Sequence, residues 1–201
     1  MKKESWTEKI YTRNGIKRDD ILSGLKVIDI GCGHHKFPQS TGIDVVKESG
    51  ADIIHNAEDT PWPIEDNSYD LVFTNHFLEH LDNQLEFFEE VTRILKPGGR
   101  IIVQVPYFRH IDAYTDITHK RFFTSRTLDY FLVESKRSGY HYSKSLFTKI
   151  GFWHGWPSRS NNPLVRLFKW FIMRHYRFYD QYLSLLLPVP CLTWELEVIK
   201  N

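Results

Sequence analysis

Three groups of residues in this chain have types and spacings suited to chemistry. The first is VIDIGCG (Val27–Gly33), an apolar, β-branched run that ends in a GxG turn, with Asp29 two residues before the first glycine. A glycine-rich turn between a buried strand and a helix lets a ligand approach backbone N–H groups and the helix N-terminus. A dinucleotide fingerprint GxGxxG would need its third glycine at Lys36, so that pattern is broken. The second group is His76-Phe77-Leu78-Glu79-His80, an H-x-x-E-H run. On a helix its two histidines would share a zinc ion, with Glu79 as the general base of a hydrolase. That reading needs a helix long enough for both histidines, yet Asp82 or Asn83 caps the next helix and leaves about one turn. The third group is DITHKRFF, in which His119 is the first candidate for a general base near neutral pH and His76 the second. For His119 the alternative is a hydrogen bond that orders its loop. Tyr107, His110 and Tyr114 lie just upstream as candidate acceptor contacts, while Lys120 and Arg121 are either solvated or hold an anionic acceptor. Cys32 and Cys191 stand far apart, so neither a disulfide framework nor a CxxC zinc site is available, and no resident metal is expected.

These residues must be carried by a scaffold, and the hydrophobic pattern predicts one. Leu25–Gly31, Thr41–Val46, Ala51–Asn56, Tyr69–Asn75 and Arg100–Pro106 are short apolar runs bounded by turn residues, as in strands buried on both faces. Between the last two, Leu85, Phe88, Val91, Thr92 and Leu95 recur at helical spacing until Pro97-Gly98-Gly99. Strands alternating with helical segments form a parallel sheet with helices on both faces, and ligands meet such a sheet at the carboxyl ends of its strands. Beyond Pro106, Thr124–Ser135 reads as a helix, Lys144–Trp156 as a strand and turn, and Leu192–Lys200 as a closing strand. Asn162–Leu187 reads as a long helix with a polar stripe of Arg166, Lys169, Arg177, Asp180 and Ser184. Its favoured role is packing on the sheet; a lid or a membrane-surface helix is the other reading. Residues 1–20 are expected to form a peripheral arm or a short helix, and 21–201 a single domain whose 107–190 portion supplies the acceptor side.

From about residue 24 to 132 the chain resembles the class I S-adenosylmethionine-dependent methyltransferases. The resemblance rests on DIGCG, on GID ending in Asp44, on NAEDTPWPIEDNSYDLV, on NHFLEHL and on LKPGGRIIVQVP. It also extends to a bacterial and archaeal subgroup carrying AYTDITHKRFFTSRTLDYF. The resemblance implies a Rossmann-like, mostly parallel seven-stranded sheet with helices on both faces and a helical insertion before the last strand. It implies S-adenosylmethionine as cofactor, held by Asp29, Gly31, Cys32, Gly33, Asp44, Asn56, Ala57, Glu58 and Asn75. Asp44 falls at the ribose-binding acidic position, where a carboxylate accepts from both ribose hydroxyls. Asn56 departs from the family's adenine-contacting Asp and offers only an uncharged carbonyl. Asp29 either contacts the cofactor through its loop or braces the turn. The acceptor is expected to be a small or lipid-like molecule. The zinc hydrolase, and a cofactor-binding module without catalysis, stand as alternatives.

Composition is compatible with this picture. The 201 residues carry a formal charge of +1, but residues 1–100 hold 12 Lys/Arg against 18 Asp/Glu and residues 101–201 hold 14 against 7. An acidic half suits a cationic sulfonium, and the basic half, which holds 21 of the 30 aromatics, is where an acceptor or a membrane surface is to be sought. Strand four ends in NHFL rather than the Asn/Asp-Pro-Pro-aromatic motif of base N-methyltransferases, which argues against nucleic acid. The polar start lacks an apolar h-region and no run of ~18 apolar residues occurs, so a cytoplasmic protein, peripheral to the membrane at most, is expected.

Overall fold

Seven apolar runs join into one sheet in the computed structural model, which describes residues 3–12, 15–16, 22–157 and 160–200. They are β1 (Val27–Ile30), β2 (Thr41–Asp44), β3 (Ile53–Ile54), β4 (Tyr69–Asn75), β5 (Leu95–Pro106), β6 (Phe147–His154) and β7 (Cys191–Val198). Their order is β3-β2-β1-β4-β5-β7-β6. The first five are parallel, and β7 runs antiparallel to both β5 and β6. Every residue of β1 is buried, as a central parallel strand covered on both faces requires. The register sets Asp29 opposite Gly42 and Phe73, and Asn75 opposite Gln104, so the ends of β1, β2, β4 and β5 share one edge.

One face is covered by α2 (Gln84–Ile94), whose first amides are capped by Asn83: Leu85 and Glu86 donate to its Oδ1 at 3.1 and 3.3 Å. Phe87, Phe88, Val91 and Ile94 of α2 pack into the main core with Ile28, Val72, Ile101 and Trp194. The opposite face is covered by α1 (Thr7–Ile10) and loops, with Ile10, Leu22 and Phe37 packed on Val27, Leu71, Phe73 and Ile102.

Three expectations are corrected. No helix follows the GxG turn, because residues 31–40 connect β1 to β2 through turns alone. A crossover with a full helix needs on the order of a dozen residues or more. Phe37 takes up the vacated space, its ring centroid 4.6 Å from that of Phe73. Thr124–Ser135 gives only a 3₁₀ turn, Thr127–Phe131, in which the buried Leu128 and Phe131 have the three-residue spacing of that geometry. The long helix divides into α4 (Pro163–Arg174) and a shorter stretch from Tyr176 to Leu183, interrupted at His175. Its polar stripe divides as well. Arg166 and Arg177 are exposed, but Ser184 is buried and Asp180 turns inward. Asp180 accepts from Tyr107 Oη (2.7 Å), His154 Nε2 (3.0 Å) and the Ser125 hydroxyl, pinning the insertion to β5 and β6.

The described part of the N-terminal arm is not peripheral. Buried Glu195 of β7 accepts from the amides of Trp6 (2.9 Å) and Thr7 (3.0 Å), from the hydroxyls of Ser5 (2.6 Å) and Thr7 (2.7 Å), and from Arg100 Nη1 (2.6 Å). Residues 1–2, 13–14 and 17–20 of the expected arm lie outside the described residues.

Candidate active site

Two neighbouring sites open at the shared strand edge. The first is the crevice between the ends of β1 and β2. Gly31 and Gly33 adopt φ values of +70° and +50°, and a Cβ on Gly31 would sit 2.1 Å from the Phe77 ring. The turn therefore needs glycine, and through Phe77 it is packed against the loop that follows β4. A Cβ on Gly33 would meet nothing within 4 Å, so the backbone there is open to a ligand. Asp44 ends β2 half-buried, accepting from Gly33 N (2.8 Å) on one carboxylate oxygen and from Val46 N (2.9 Å) on the other. Each oxygen keeps a lone pair for a further donor.

Asp29 is 2% exposed and accepts from the amide of Phe37 at 2.7 Å. Burial pushes its carboxyl up to about 7, and neighbouring Asp44 adds to this against the opposing effects of the Phe37 amide and Lys36. It braces the loop, as the turn-stabilising reading expects. Cys32 is buried, its amide is given to Ile43 O (3.3 Å), and burial raises its thiol to about 11. The Cys32 N–H is thus committed to the fold. With no helix behind the turn, the helix N-terminus expected to receive an anionic group is also missing. Asn56 is exposed and its Oδ1 accepts from Glu58 N (3.1 Å), Ala57 is buried, and Glu58 Oε1 accepts from Asp82 N (2.5 Å). Asn75 carries a buried Oδ1 with no hydrogen-bond partner among the described residues, an acceptor at the strand edge awaiting a donor.

The second site is a cavity of about 640 Å³ beyond β4 and β5, lined by His76, Pro106, Asp112, Thr115, Asp116, Ile117 and His119. Both candidate bases border it. His76 holds φ +52° at the end of β4, where its amide donates to Gln104 O (2.9 Å). His119 has Nδ1 on Ala113 O (3.1 Å) and Nε2 3.9 Å from Glu79 Oε1. Three acceptor candidates fall elsewhere. Tyr107 is fully buried and bonded to Asp180, His110 pairs with Asp112 at 3.0 Å, and Tyr114 donates to Phe108 O (2.8 Å). Lys120 and Arg121 are tied to Asp82, at 2.6 Å to its carboxylate and 2.7 Å to its carbonyl, and neither lines the cavity. Asp112, Thr115 and Ile117 were not singled out by sequence. Their signal is only the short helix α3 (Asp112–Thr115) between Tyr107 and the DITH turn.

Residues 28–103 match the family model of the methyltransferase domain. Over those residues the chain is similar to the methyltransferase domain. The methyltransferase GfsG of Streptomyces halstedii is 26% identical over 126 residues, covering 50% of this chain and 42% of that protein. Demethylmenaquinone methyltransferase of Staphylococcus aureus is 27% identical over 116 residues, covering 47% and 48%. The chain thus spans less than half the length of these relatives. Among solved structures, a methyltransferase from Archaeoglobus fulgidus has the same fold, with a TM-score of 0.56 at 19% identity over 88% of this chain and 87% of that one.

The H-x-x-E-H run does not form the helical zinc site of a hydrolase. His76 closes a strand and Leu78–His80 is a single 3₁₀ turn, so the two histidines do not share a helix face. The residues of the crevice fit S-adenosylmethionine unevenly. The open cradle at Gly33, the Asp44 carboxylate and the unsatisfied Asn75 carbonyl fit S-adenosylmethionine. The Cys32 amide is engaged inside the fold, whereas the exposed Asn56 side chain accepts only the Glu58 amide.

Proposed function

We propose that this chain transfers a methyl group from S-adenosylmethionine to a small-molecule or lipid-like acceptor. The observation that carries this is Asp44, a carboxylate at the end of β2 whose two oxygens are oriented by the Gly33 and Val46 amides and retain lone pairs for two ribose hydroxyls. The cofactor supplies an electrophilic methyl on a cationic sulfonium, so the chain's own task is alignment and exclusion of water. Asn75 Oδ1 serves the amino-acid end. Phe77 fixes the floor of the crevice against Gly31. Of the two candidate bases, His76 has the accessible ring, whereas both nitrogens of His119 face protein groups. His76 therefore takes the role of proton acceptor when the acceptor atom is a hydroxyl.

Calorimetry with S-adenosylmethionine tests the site. Wild type binds, and Asp44→Ala weakens binding by about 1–3 kcal/mol through loss of charge-assisted bonds. Equal affinity in the two proteins overturns the ribose assignment, and no binding by wild type overturns the activity.

The finer reading is that the acceptor is met at an anionic membrane surface. Leu164, Leu167 and Trp170, spaced along one side of α4, are 74%, 61% and 62% exposed, and Arg166, Arg174 and Arg177 lie beside them. An apolar ridge flanked by cations suits insertion at a lipid interface. No helix among the described residues is long and apolar enough to cross a membrane. Sedimentation with phosphatidylglycerol vesicles should retain wild type and release Leu167→Ser/Trp170→Ser. Equal retention of both would remove α4 from this role.

A further inference from the structure

We infer that Glu79, His80 and His119 bind a divalent transition-metal ion beneath the acceptor cavity. One ligand atom from each of Glu79, His80 and His119 lies within 4.8 Å of the others, and His76 Nδ1 is 3.3 Å from Glu79 Oε1. Glu79 is 0% exposed, and neither carboxylate oxygen has a hydrogen-bond partner among the described residues. A buried carboxylate without donors is costly, so a positive charge belongs against it.

The hydrogen bonds around the histidines point to where that charge sits. Ala113 O can only accept, so His119 Nδ1 carries the proton in the neutral ring and the Nε2 lone pair is directed at Glu79, 3.9 Å away. The Thr118 hydroxyl gives its proton to Asp116 Oδ1 (2.6 Å) and therefore accepts from His80 Nδ1 (2.9 Å). That leaves the lone pair of His80 on Nε2. The His119 lone pair and the buried Glu79 carboxylate face each other without a donor and repel unless a cation lies between them, and a ring nitrogen of His80 lies within 4.8 Å of both. Carbonyl and hydroxyl partners on the far ring nitrogens are the usual outer support of metal-bound histidines.

The geometry is also held in advance. Glu79 O accepts from Lys120 N (2.8 Å) and Arg121 N (3.1 Å), tying the His119 loop to the Glu79 turn. Metal–ligand bonds of about 2.0–2.2 Å set tetrahedral donors about 3.3–3.6 Å apart, so the His119 Nε2 and Glu79 Oε1 atoms, at 3.9 Å, need to close by roughly half an ångström. Asp112 and Asp116 at the cavity wall attract a cation, and the cavity side stays open for an exogenous ligand. Imidazole-rich donors with one carboxylate select zinc, iron(II) or nickel over manganese, calcium and magnesium. An ion placed there would stabilise a deprotonated acceptor oxygen, a consequence that rests on the methyl-transfer reading, whereas metal binding itself does not.

The test is calorimetric titration of chelator-treated protein at pH 7.5 with zinc and, separately, nickel. One site per chain is expected. Glu79→Gln and His119→Ala should each weaken it by at least tenfold, while His141→Ala, an exposed histidine outside the cluster, should bind as wild type does. Because Glu79→Gln alters a buried position, His80→Ala/His119→Ala is measured alongside, with far-ultraviolet circular dichroism to confirm folding. Wild type binding neither ion more tightly than that folded double variant overturns the inference and leaves a protonated imidazole as the partner of Glu79. S-adenosylmethionine affinity measured on the same samples reports separately on the methyl-transfer reading.

Discussion

Replacing Asp29 by Asn should change how the stability of this protein depends on pH more than any other conservative substitution in the cofactor crevice. Asn keeps the acceptor for the Phe37 amide but removes the ionisable carboxyl. Burial pushes that carboxyl from 3.8 up to about 7 in the fold. A folded value raised above the unfolded one means that the folded state holds a proton which the unfolded state has released. Stability is therefore fully present below pH 3.8, declines as pH rises, and levels off above about 7. At about 1.4 kcal/mol per pH unit the whole effect is roughly 4 kcal/mol, a ceiling because water entering the loop relaxes the desolvation. Urea denaturation of wild type and Asp29→Asn between pH 4 and 8.5 is the assay. The curves should nearly meet at the acid end, and the variant should be more stable by a few kcal/mol at the alkaline end. Parallel profiles, or a variant that loses stability at pH 8, would refute the desolvation argument.

Two further substitutions probe the devices that attach peripheral segments to the sheet. Glu195→Leu takes from the buried Arg100 guanidinium its close carboxylate partner, leaving Glu197 at 3.6 Å and the Glu4 carbonyl, and removes the acceptor of residues 5–7. A loss of about 3–5 kcal/mol is expected in denaturant melts, with earlier proteolysis near the N-terminus. Asp180→Ala leaves Tyr107, His154 and Ser125 without their shared acceptor and should cost about 2–4 kcal/mol, whereas Tyr107→Phe, which removes one bond, should cost about 1 kcal/mol. Although burial works in the other direction, the bonds from His154, Ser125 and Tyr107 hold Asp180 below the ordinary carboxylate range. Its contribution should fade as pH falls through that depressed value and be complete above 3.8, which acid titration of the melting curve in wild type and Asp180→Asn would check.

Sequence alone determined the strands and the cofactor edge. Apolar β-branched runs such as Val27–Ile30 and Tyr69–Asn75 have few alternatives to a doubly covered strand, and glycines at 31 and 33 announce a turn that side chains would block. Asp44 was legible because its position depends only on where a strand ends. Local pattern was misleading where the chain was too short or too entangled. A helix seemed due after Gly33, but ten residues of turns and a buried Phe37 close that connection. Asp180 and Ser184 looked like a solvated stripe because helical periodicity cannot say which neighbours the polar face meets. Tyr107 seemed free for an acceptor until the insertion brought Asp180 onto its hydroxyl.

The tertiary structure alone decided what Glu79 faces. In the sequence it sits between two histidines of a helical zinc motif; in the fold a strand end and a 3₁₀ turn replace that helix, and His119, forty residues further along, joins the cluster at its carboxylate. Short-range spacing specifies backbone form. The environment of a buried charge is set by loops from distant strands meeting at one sheet edge, a relation that sheet order and register create and that linear spacing does not contain.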